Sequence, residues 1–177
     1  MAHGKVIGRF APTPSGPLHL GSLVTAVASY CHSRSQQGQW LLRIEDVDTP
    51  RVVKGATSQI LTSLEAYGFE WDGEVLYQSS RFDYYESKLD ELLNQQDCYA
   101  CECSRKSLRE KGVKSGLMGQ IYPRICAEKN ITPNNHSIRL NTESASISRF
   151  NDQIYGNFEL NLNDQVGDFI LKRVDGI

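Results

Sequence analysis

The sequence has 177 residues, of which 40% are hydrophobic and 23% charged, as in an ordinary soluble globular protein with one domain and an insert. Its 19 Lys and Arg against 21 Asp and Glu give a net charge of -2, which excludes overall positive charge as a means of binding nucleic acid. No apolar run is long enough to cross a membrane and no secretory leader precedes Val6, so we expect a cytoplasmic protein.

The first predicted strand and helix are joined by a stiff turn. Residues 5–11 form an apolar run typical of a strand, and Pro12, Pro14 and Gly16-Pro17 follow it. Because proline cannot continue a helix or a central strand, neither element extends through the turn.

The turn ends in His19-Leu20-Gly21-Ser22, at the predicted start of a helix. An imidazole, a residue without a side chain and a hydroxyl meet there, beside free backbone N–H groups and the positive end of the helix dipole. This is the outline of a nucleotide-phosphate site. The alternative is a common Pro/Gly turn followed by a surface histidine.

Apolar residues at helical spacing predict a helix from Gly21 to Gln36 that packs on the sheet through one face. That face would contain Leu23, Val24, Val27, Ala28 and Cys31, which places Cys31 in the core. A second strand, Trp40 to Ile44, follows the turn at Gly38. Together these elements predict one right-handed β-α-β unit of a Rossmann-like parallel sheet.

The second predicted strand ends in three acidic residues, Glu45, Asp46 and Asp48, framed by Arg43 and Arg51. Open α/β sheets bind their ligands at the carboxyl ends of strands, so these acids favour a binding site. Arg43 and Asp46 could instead form a structural ion pair.

Two further helices are predicted before the first cysteine cluster. One contains Ile60, Leu61 and Leu64 and ends at Gly68, and the other begins near Ser80. The residues between them, Tyr77-Gln78-Ser79, are predicted to form a cap and a loop.

The five cysteines include Cys101 and Cys103, one residue apart, with Cys126 further along the chain. Such spacing favours reduced thiols or metal ligands over a disulfide framework. Three thiolates and one more donor can close a tetrahedral zinc site, and the fourth donor could be Cys98, Tyr122 or His136. Free structural thiols are the alternative.

A basic stretch follows the first cysteines and contains Arg105, Lys106, Arg109, Lys111 and Lys114. It could bind nucleic-acid phosphates or form a solvated helix face. Alternation of polar and apolar residues from Ser137, and again from Phe158 to Leu162, predicts antiparallel strands in an inserted subdomain. The last segment, 167–177, has the pattern of a buried strand.

The segments 8–22 and 43–51 resemble the class I aminoacyl-tRNA synthetases of the glutamyl and glutaminyl group. The first is similar to the His-x-Gly-His signature of that group. Within the group the chain resembles the glutamyl-Q branch, which attaches glutamate to the queuosine base of tRNA(Asp) and has Ser at the last signature position, as Ser22 is here.

The resemblance implies an α/β fold, a Rossmann-like catalytic domain with an inserted zinc-bearing α+β subdomain. The expected divisions are 1–97 for the first half of the Rossmann-like domain, 98–165 for the insert and 166–177 for a returning strand. The family continues with a second half of the sheet, a Tyr and an Arg that hold glutamate, and a Lys-rich signature that grips ATP. These are absent here, which puts independent catalysis by this chain in doubt, and Lys114-Ser115 is no replacement.

The resemblance also implies the residues of each site. His19 and Ser22 would be catalytic and would contact ATP phosphate or ribose, and Gly21 would allow close approach of the backbone to ATP. The residues implied for L-glutamate are Arg9 for its carboxylate, Glu45 for its amino group, and Phe10, Ala11, Pro12 and Thr13 around the pocket. The implied structural zinc ligands are Cys101, Cys103, Tyr122 and Cys126.

The implied activity is ATP-dependent activation of glutamate, with Mg²⁺ accompanying ATP, and transfer to tRNA(Asp) by a monomer that binds no membrane. Two other functions are considered. The chain could be the catalytic piece of a glutamyl-tRNA synthetase that charges the tRNA 3' end, or a non-catalytic fragment that binds zinc and tRNA.

Overall fold

The structure of the protein is a computed structural model that describes residues 5–111, 113–117, 119–143 and 147–177. The chain folds as two compact units, Met1–Tyr85 and Glu86–Ile177. Helix α3, Phe82–Asn94, contains the boundary between the units. The divisions expected after residues 97 and 165 stay predictions.

The first unit is built on a parallel three-stranded sheet in the order β1-β2-β3. Its elements are β1 (Ile7–Phe10), α1 (Leu20–Ser35), β2 (Gln39–Ile44), a 3₁₀ turn (Thr49–Arg51), α2 (Ala56–Ala66), β3 (Leu76–Tyr77) and a second 3₁₀ turn (Gln78–Arg81). The predicted parallel β-α-β order is confirmed. Gly68, just past α2, has a φ of +78°, the left-handed conformation that favours glycine after a helix.

Trp40 lies at the centre of the core of the first unit. Its side chain is fully buried and stacks on Phe69 with ring centroids 5.4 Å apart, while Tyr30 meets it edge-on at 5.1 Å. The indole N–H donates to Ser29 Oγ at 2.9 Å, and the backbone N–H donates to the Asp72 carboxylate at 2.8 Å. This backbone hydrogen bond holds the pKa of Asp72 below its usual value. One residue of β2 therefore fixes both α1 and the segment after α2.

The predicted sheet-facing side of α1 is wrong. Val24 and Val27 are 59% and 48% exposed. Ala28 and Cys31 are exposed as well, and Leu23 is half-buried. Cys31 is therefore not a core residue.

Small residues form the side of α1 that packs on the sheet. Ala26 and Ser33 are fully buried. A Cβ placed on Gly8 of β1 would lie 3.0 Å from the Ser29 carbonyl oxygen and 3.0 Å from Ser33 Cβ. Because the strand and the helix approach this closely, bulkier apolar side chains do not fit between them and turn away from the sheet.

The second unit contains an antiparallel sheet in the order β10-β7-β4. Its strands are β4 (Cys98–Cys101), β7 (Ser137–Leu140) and β10 (Ile170–Lys172). The other elements are α4 (Arg105–Glu110), the paired strands β5 (Ser115–Gly116) and β6 (Gly119–Gln120), the hairpin of β8 (Ile147–Asp152) and β9 (Gly156–Asn161), and α5 (Leu162–Gln165). The antiparallel strands predicted after Ser137 and near residues 158–162 are confirmed.

The sheet of the second unit is covered by α3. Leu89 and Leu92 pack with Ile131 against buried Cys98 and Ile138. The helix therefore packs on this sheet through these two leucines. Within the described residues, no helix combines the length and the apolar composition needed to cross a bilayer.

The last strand is more exposed than its apolar sequence predicts. Phe169, Ile170 and Leu171 are 41%, 43% and 37% exposed, so the prediction of a buried strand is wrong. The physical reason is position, because β10 is an edge strand of a three-stranded sheet. It pairs with β7 of the second unit. The strand that the resemblance places at 166–177, returning to the Rossmann-like domain, stays a prediction.

The orientation of α1 is tested by the same substitution at two positions. We expect Ala26→Leu to lower the free energy of unfolding by about 1–3 kcal/mol, because the new side chain overpacks a closed contact. Ala28→Leu, two residues away on the exposed side, is the matched control and should change it by less than about 0.5 kcal/mol. Urea unfolding followed by circular dichroism measures both, and a larger loss at Ala28 would contradict the observed packing.

Candidate functional site

The first candidate site lies at the amino end of α1, where His19 is the N-cap residue. Its Nδ1 accepts a hydrogen bond from the Ser22 backbone N–H at 3.2 Å, and its Nε2 lies 3.2 Å from Ser22 Oγ. A Cβ on Gly21 would lie 3.1 Å from His19 Cε1, so the absence of a side chain leaves room for the imidazole. The predicted imidazole, glycine and hydroxyl thus meet at one helix end, where the helix dipole favours an anion.

The proline-rich turn is held against the segment that follows β2. Pro12 and Pro14 are buried. The Pro12 carbonyl accepts from the Glu45 N–H at 3.0 Å, and the Pro14 carbonyl accepts from the Val53 N–H at 2.9 Å. Because β1 and β2 run parallel, their carboxyl ends lie together, and these hydrogen bonds join the two segments that follow.

The three acidic residues after β2 have separate partners. Glu45 forms an ion pair with Arg43, Asp48 pairs with Arg51 at 2.6 Å, and Asp46 accepts from Ser79. The structural pair of Arg43 with Asp46, considered above, is therefore wrong. Neighbouring strand residues point to opposite faces, which places Arg43 on the same side as Glu45.

Ser79 lies in the segment predicted to form a cap and a loop, and the structure instead places Tyr77 in β3 and Ser79 in the 3₁₀ turn that follows. The Ser79 backbone N–H and hydroxyl donate to the Asp46 carboxylate at 2.8 Å and 2.6 Å. Pairing of Ile44 with Tyr77 brings the two residues together across 33 positions of sequence. The sequence offers no local signal for a contact of this range.

The residues implied for glutamate differ in their surroundings. Arg9 is exposed on β1, and among the described residues no acidic side chain lies within ion-pair distance of it. Phe10 is 5% exposed and stacks on Trp40, so its side chain belongs to the core. Ala11 and Thr13 are half-buried in the turn. Arg9 is therefore the cation available to an added carboxylate.

The second candidate site is a cluster of Cys101, Cys103 and Cys126, whose sulfur atoms all lie within 4.8 Å of one another. Cys103 Sγ and Cys126 Sγ are 3.6 Å apart. The Tyr122 hydroxyl lies 3.3 Å from the sulfur atoms of both Cys101 and Cys103 and accepts from the Cys126 N–H at 3.1 Å. We call these four residues the cysteine–tyrosine cluster.

The other two candidate donors lie elsewhere. Cys98 is buried in the core beneath α3, where burial raises the pKa of its thiol to about 11. His136 uses Nδ1 in a 3.0 Å hydrogen bond with the Thr132 carbonyl. Among the candidates, the structure thus brings the Tyr122 oxygen to the three thiols.

The dimensions of the cluster fit a tetrahedral metal. Bonds of about 2.3 Å from zinc to sulfur give a tetrahedron with edges of about 3.8 Å, close to the separations seen here. Three sulfur donors also suit zinc better than they suit calcium or magnesium. The chemistry and spacing of the donors therefore fit a closed, structural zinc site.

The cluster combines groups with opposed pKa shifts. Burial acts to raise the pKa of the Cys101 thiol, but Tyr122, Arg139 and the Cys103 backbone outweigh burial and lower it. Burial and the neighbouring thiols raise the pKa of the Tyr122 phenol well above its usual value. Burial also raises the pKa of the Cys103 thiol, so Cys101 is deprotonated more readily than Cys103, and the Tyr122 phenol keeps its proton when no metal competes for it.

Arg139 is a second residue that the sequence analysis missed. It lies on β7 and is 7% exposed, with its guanidinium carbon 3.9 Å from the centroid of the Tyr122 ring. The sequence carried no signal for its burial, because Arg139 occupies a polar position of an alternating strand, where an exposed side chain is expected.

The basic residues lie beside this cluster. Helix α4 begins at Arg105, two positions after Cys103, and its Leu108 packs against the cluster. Its exposed cations are Arg105, Lys106 and Arg109, followed by Lys111 and Lys114. In the described part of the chain, none of them has an acidic side chain within ion-pair distance.

Comparison with known proteins assigns the fold to a class. The family model for class I tRNA synthetases (E and Q), catalytic domain, matches residues 5–177. The chain belongs to this family.

The chain is also similar to two curated relatives named glutamyl-Q tRNA(Asp) synthetase. The one from Shewanella oneidensis is 49% identical over 174 residues, which are 98% of this chain and 56% of that protein. The one from Pseudomonas syringae pv. syringae is 48% identical over 171 residues, 97% of this chain and 55% of that protein. The chain thus spans little more than half the length of these relatives.

Solved structures show the same fold. A glutamate-tRNA synthetase from Elizabethkingia anophelis has a TM-score of 0.76 and 28% identity, covering 98% of this chain and 40% of that one. A glutamate tRNA ligase from Elizabethkingia meningosepticum, crystallised in complex with its amino acid, has a TM-score of 0.75 and 28% identity, covering 98% and 39%.

The role of Asp46 is tested by hydrogen exchange. We expect Asp46→Ala to speed exchange of the Ser79 amide at least about tenfold, because a hydrogen bond to a charged acceptor contributes about 1.5–3 kcal/mol. Asp48→Ala, which removes the side-chain contact with Arg51, is the control and should leave the exchange rates of residues 77–81 unchanged. Mass spectrometry of the exchanged peptides measures the effect, and equal rates in both variants would contradict the contact.

Proposed function

We propose that this chain forms the glutamate- and ATP-binding part of an enzyme that makes glutamyl-adenylate and transfers glutamate to the queuosine base of tRNA(Asp). The observation that carries the proposal is the junction of the proline-rich turn with the end of β2. This turn leads to His19 and Ser22 at the amino end of α1 and is hydrogen-bonded to Glu45. The names of the curated relatives support the choice of substrate and acceptor.

The reaction joins two anions, so the site has to supply positive charge and orientation. One carboxylate oxygen of glutamate attacks the α-phosphorus of ATP, and the bond to the bridging oxygen of the leaving pyrophosphate breaks. Arg9 binds the second carboxylate group of glutamate, whose planar shape matches a guanidinium. Glu45 accepts a hydrogen bond from the amino group of glutamate. Arg43 keeps the Glu45 carboxylate in place.

Negative charge in the transition state accumulates on phosphate oxygens. The amino end of α1, the His19 imidazole and the Ser22 hydroxyl are donors already in place for that charge. Gly21 lets the backbone approach ATP closely. Magnesium would enter as part of the ATP substrate and would offset the charge of its phosphates.

We propose that the cysteine–tyrosine cluster holds a structural zinc ion in the second unit. All four donors come from the protein, so no position is left for a substrate. The exposed cations of α4 are proposed to contact tRNA phosphates, because they stand beside the cluster without acidic partners in the described part of the chain.

Two other functions are compatible with the same fold. The likeness to glutamate-tRNA synthetases would suit a catalytic piece that charges a tRNA 3' end. The fraction of the relatives that the chain spans would suit a fragment that binds zinc and tRNA without catalysis.

Exchange of ATP with pyrophosphate, together with zinc content, separates the three functions. Glutamate-dependent exchange without tRNA supports the proposed function. Exchange only with tRNA favours the glutamyl-tRNA synthetase function. Zinc without exchange under either condition favours the non-catalytic fragment and would overturn the proposed activity of this chain.

Substitution of His19 tests the phosphate contact. We expect His19→Ala to lower the rate of adenylate formation about 10²- to 10³-fold, since it removes a donor aimed at developing charge, with glutamate affinity changed less than about twofold. His19→Asn keeps a side chain that can cap the helix, and we expect its rate of adenylate formation to fall as far as in His19→Ala. This comparison separates a role in catalysis from a role in helix capping.

His32→Ala, in the last turn of the same helix, is the control and should keep the original rate. Pyrophosphate exchange and calorimetric glutamate binding measure the two effects. Equal losses of rate and glutamate affinity in His19→Ala would count against the proposed role.

The metal ligands are tested by zinc stoichiometry. We expect one zinc per chain in the original protein, and well below half of that in Cys126→Ser, because a hydroxyl is a poor replacement for a thiolate ligand. Cys98→Ala removes a buried thiol outside the cluster and should keep the full stoichiometry. Plasma mass spectrometry measures the metal, and loss in Cys98→Ala with retention in Cys126→Ser would refute the assignment.

A further inference from the structure

Arg139 is a buried cation without a carboxylate partner in the described part of the chain. Its side chain is 7% exposed, yet no Asp or Glu oxygen among the described residues lies within 4.0 Å of its guanidinium. Burying an unpaired charge costs several kcal/mol as an order of magnitude, so a buried arginine is expected to face a negative group.

Arg139 contacts both the cysteine–tyrosine cluster and a backbone carbonyl. Its guanidinium carbon lies 3.9 Å from the centroid of the Tyr122 ring, and its positive charge acts to lower the pKa of the Cys101 thiol. Its Nη1 donates to the Asp168 backbone carbonyl at 2.7 Å. Its Nε is buried and has no hydrogen-bond partner among the described residues.

The backbone contact is itself firmly held. Asp168 is 2% exposed, and its carboxylate accepts from the Thr142 N–H and hydroxyl at 2.8 Å each, from Arg124 at 3.1 Å and from the Tyr99 hydroxyl. The Asp168 carboxylate is thus hydrogen-bonded to these donors, and Arg139 contacts the Asp168 backbone carbonyl instead. Among the described residues no carboxylate oxygen lies within ion-pair distance of the guanidinium, which faces the cluster over the Tyr122 ring.

Charge balance makes the cluster a suitable partner. Three thiolates around Zn²⁺ carry a net charge of -1 while Tyr122 keeps its proton, and of -2 if Tyr122 binds as phenolate. A cation held against the ligands lowers the cost of burying that charge. An arginine is well suited because its planar group can lie over an aromatic ring and donate hydrogen bonds at its edge.

We propose that Arg139 is a positioning residue of the metal site, which balances the charge of the bound thiolates and keeps the Tyr122 ring turned toward the metal. The role rests on the proposed zinc site in the cysteine–tyrosine cluster. It assigns to β7 a part in metal binding, although that strand contributes no ligand.

The role is tested by comparing the zinc affinity of the original protein with that of three variants substituted at Arg139. Competition with a chromophoric chelator is measured on the full chain for the original protein and for Arg139→Gln, Arg139→Lys and Arg139→Met. We expect zinc affinity to fall about 10- to 100-fold in Arg139→Gln, as is typical when a partner of a metal ligand is lost.

The other two variants separate charge from packing. Arg139→Lys keeps the charge and should recover most of the affinity, whereas Arg139→Met keeps the apolar stem alone and should remain as weak as Arg139→Gln. Arg149→Gln removes an exposed arginine of the hairpin, paired with Glu159, and is the matched control with unchanged affinity. Far-UV circular dichroism checks folding, and if Arg139→Gln is unfolded the Lys and Met variants decide the test.

Cobalt replaces zinc in a second readout. The charge-transfer absorption of Co²⁺ bound to thiolates should keep its intensity at saturation in Arg139→Gln, whereas the ligand-field bands should shift because Tyr122 is no longer held. Unchanged bands, equal zinc affinity across the variants, or full affinity in Arg139→Met would each overturn the role of Arg139 alone. An original protein that binds no zinc would instead overturn the zinc site, and this role with it.

Discussion

The hydrogen bond from the Glu45 N–H to the Pro12 carbonyl is the contact on which the candidate active site depends. It joins the segments that leave the carboxyl ends of β1 and β2, and it can form only because the two strands are parallel and in register. On one side of it the turn leads to the capped amino end of α1, and on the other side three acidic residues take separate partners. The same parallel pairing, continued to β3, brings Ser79 to Asp46.

A different constraint governs the second unit, where charges are buried and have to be balanced. Asp168 is surrounded by donors from Tyr99, Arg124 and Thr142, so its carboxylate is fully used. Arg139 has no such carboxylate and lies over the Tyr122 ring. An anionic metal site in the cysteine–tyrosine cluster would supply the missing negative charge, which connects the zinc proposal to an observation independent of the cysteine spacing.

Periodicity predicted where helices and strands occur better than it predicted what they contact. The helix from Gly21 was confirmed as α1, but its apolar stripe with Val24 and Val27 faces away from the sheet. The hydrophobicity of a side chain sets the free energy of its burial, but it does not show whether the side chain fits a given contact. The space between β1 and α1 at Gly8 admits only small residues. The last strand shows the same limit. Ile170 lies in an apolar segment that predicts burial, but its strand is at the edge of the sheet and the side chain is exposed.

The sequence by itself determined the proline-rich turn, the capped helix start and the acidic end of β2, because turn, capping and strand preferences act between residues that are near in the chain. It also supplied the three cysteines and Tyr122 as candidates without choosing the fourth donor. The tertiary structure decided which distant groups meet: Ser79 with Asp46, Tyr122 with the thiols, and Arg139 with the Tyr122 ring. These contacts depend on strand pairing and on the burial of charge, which are properties of the folded chain and leave no local pattern in its sequence.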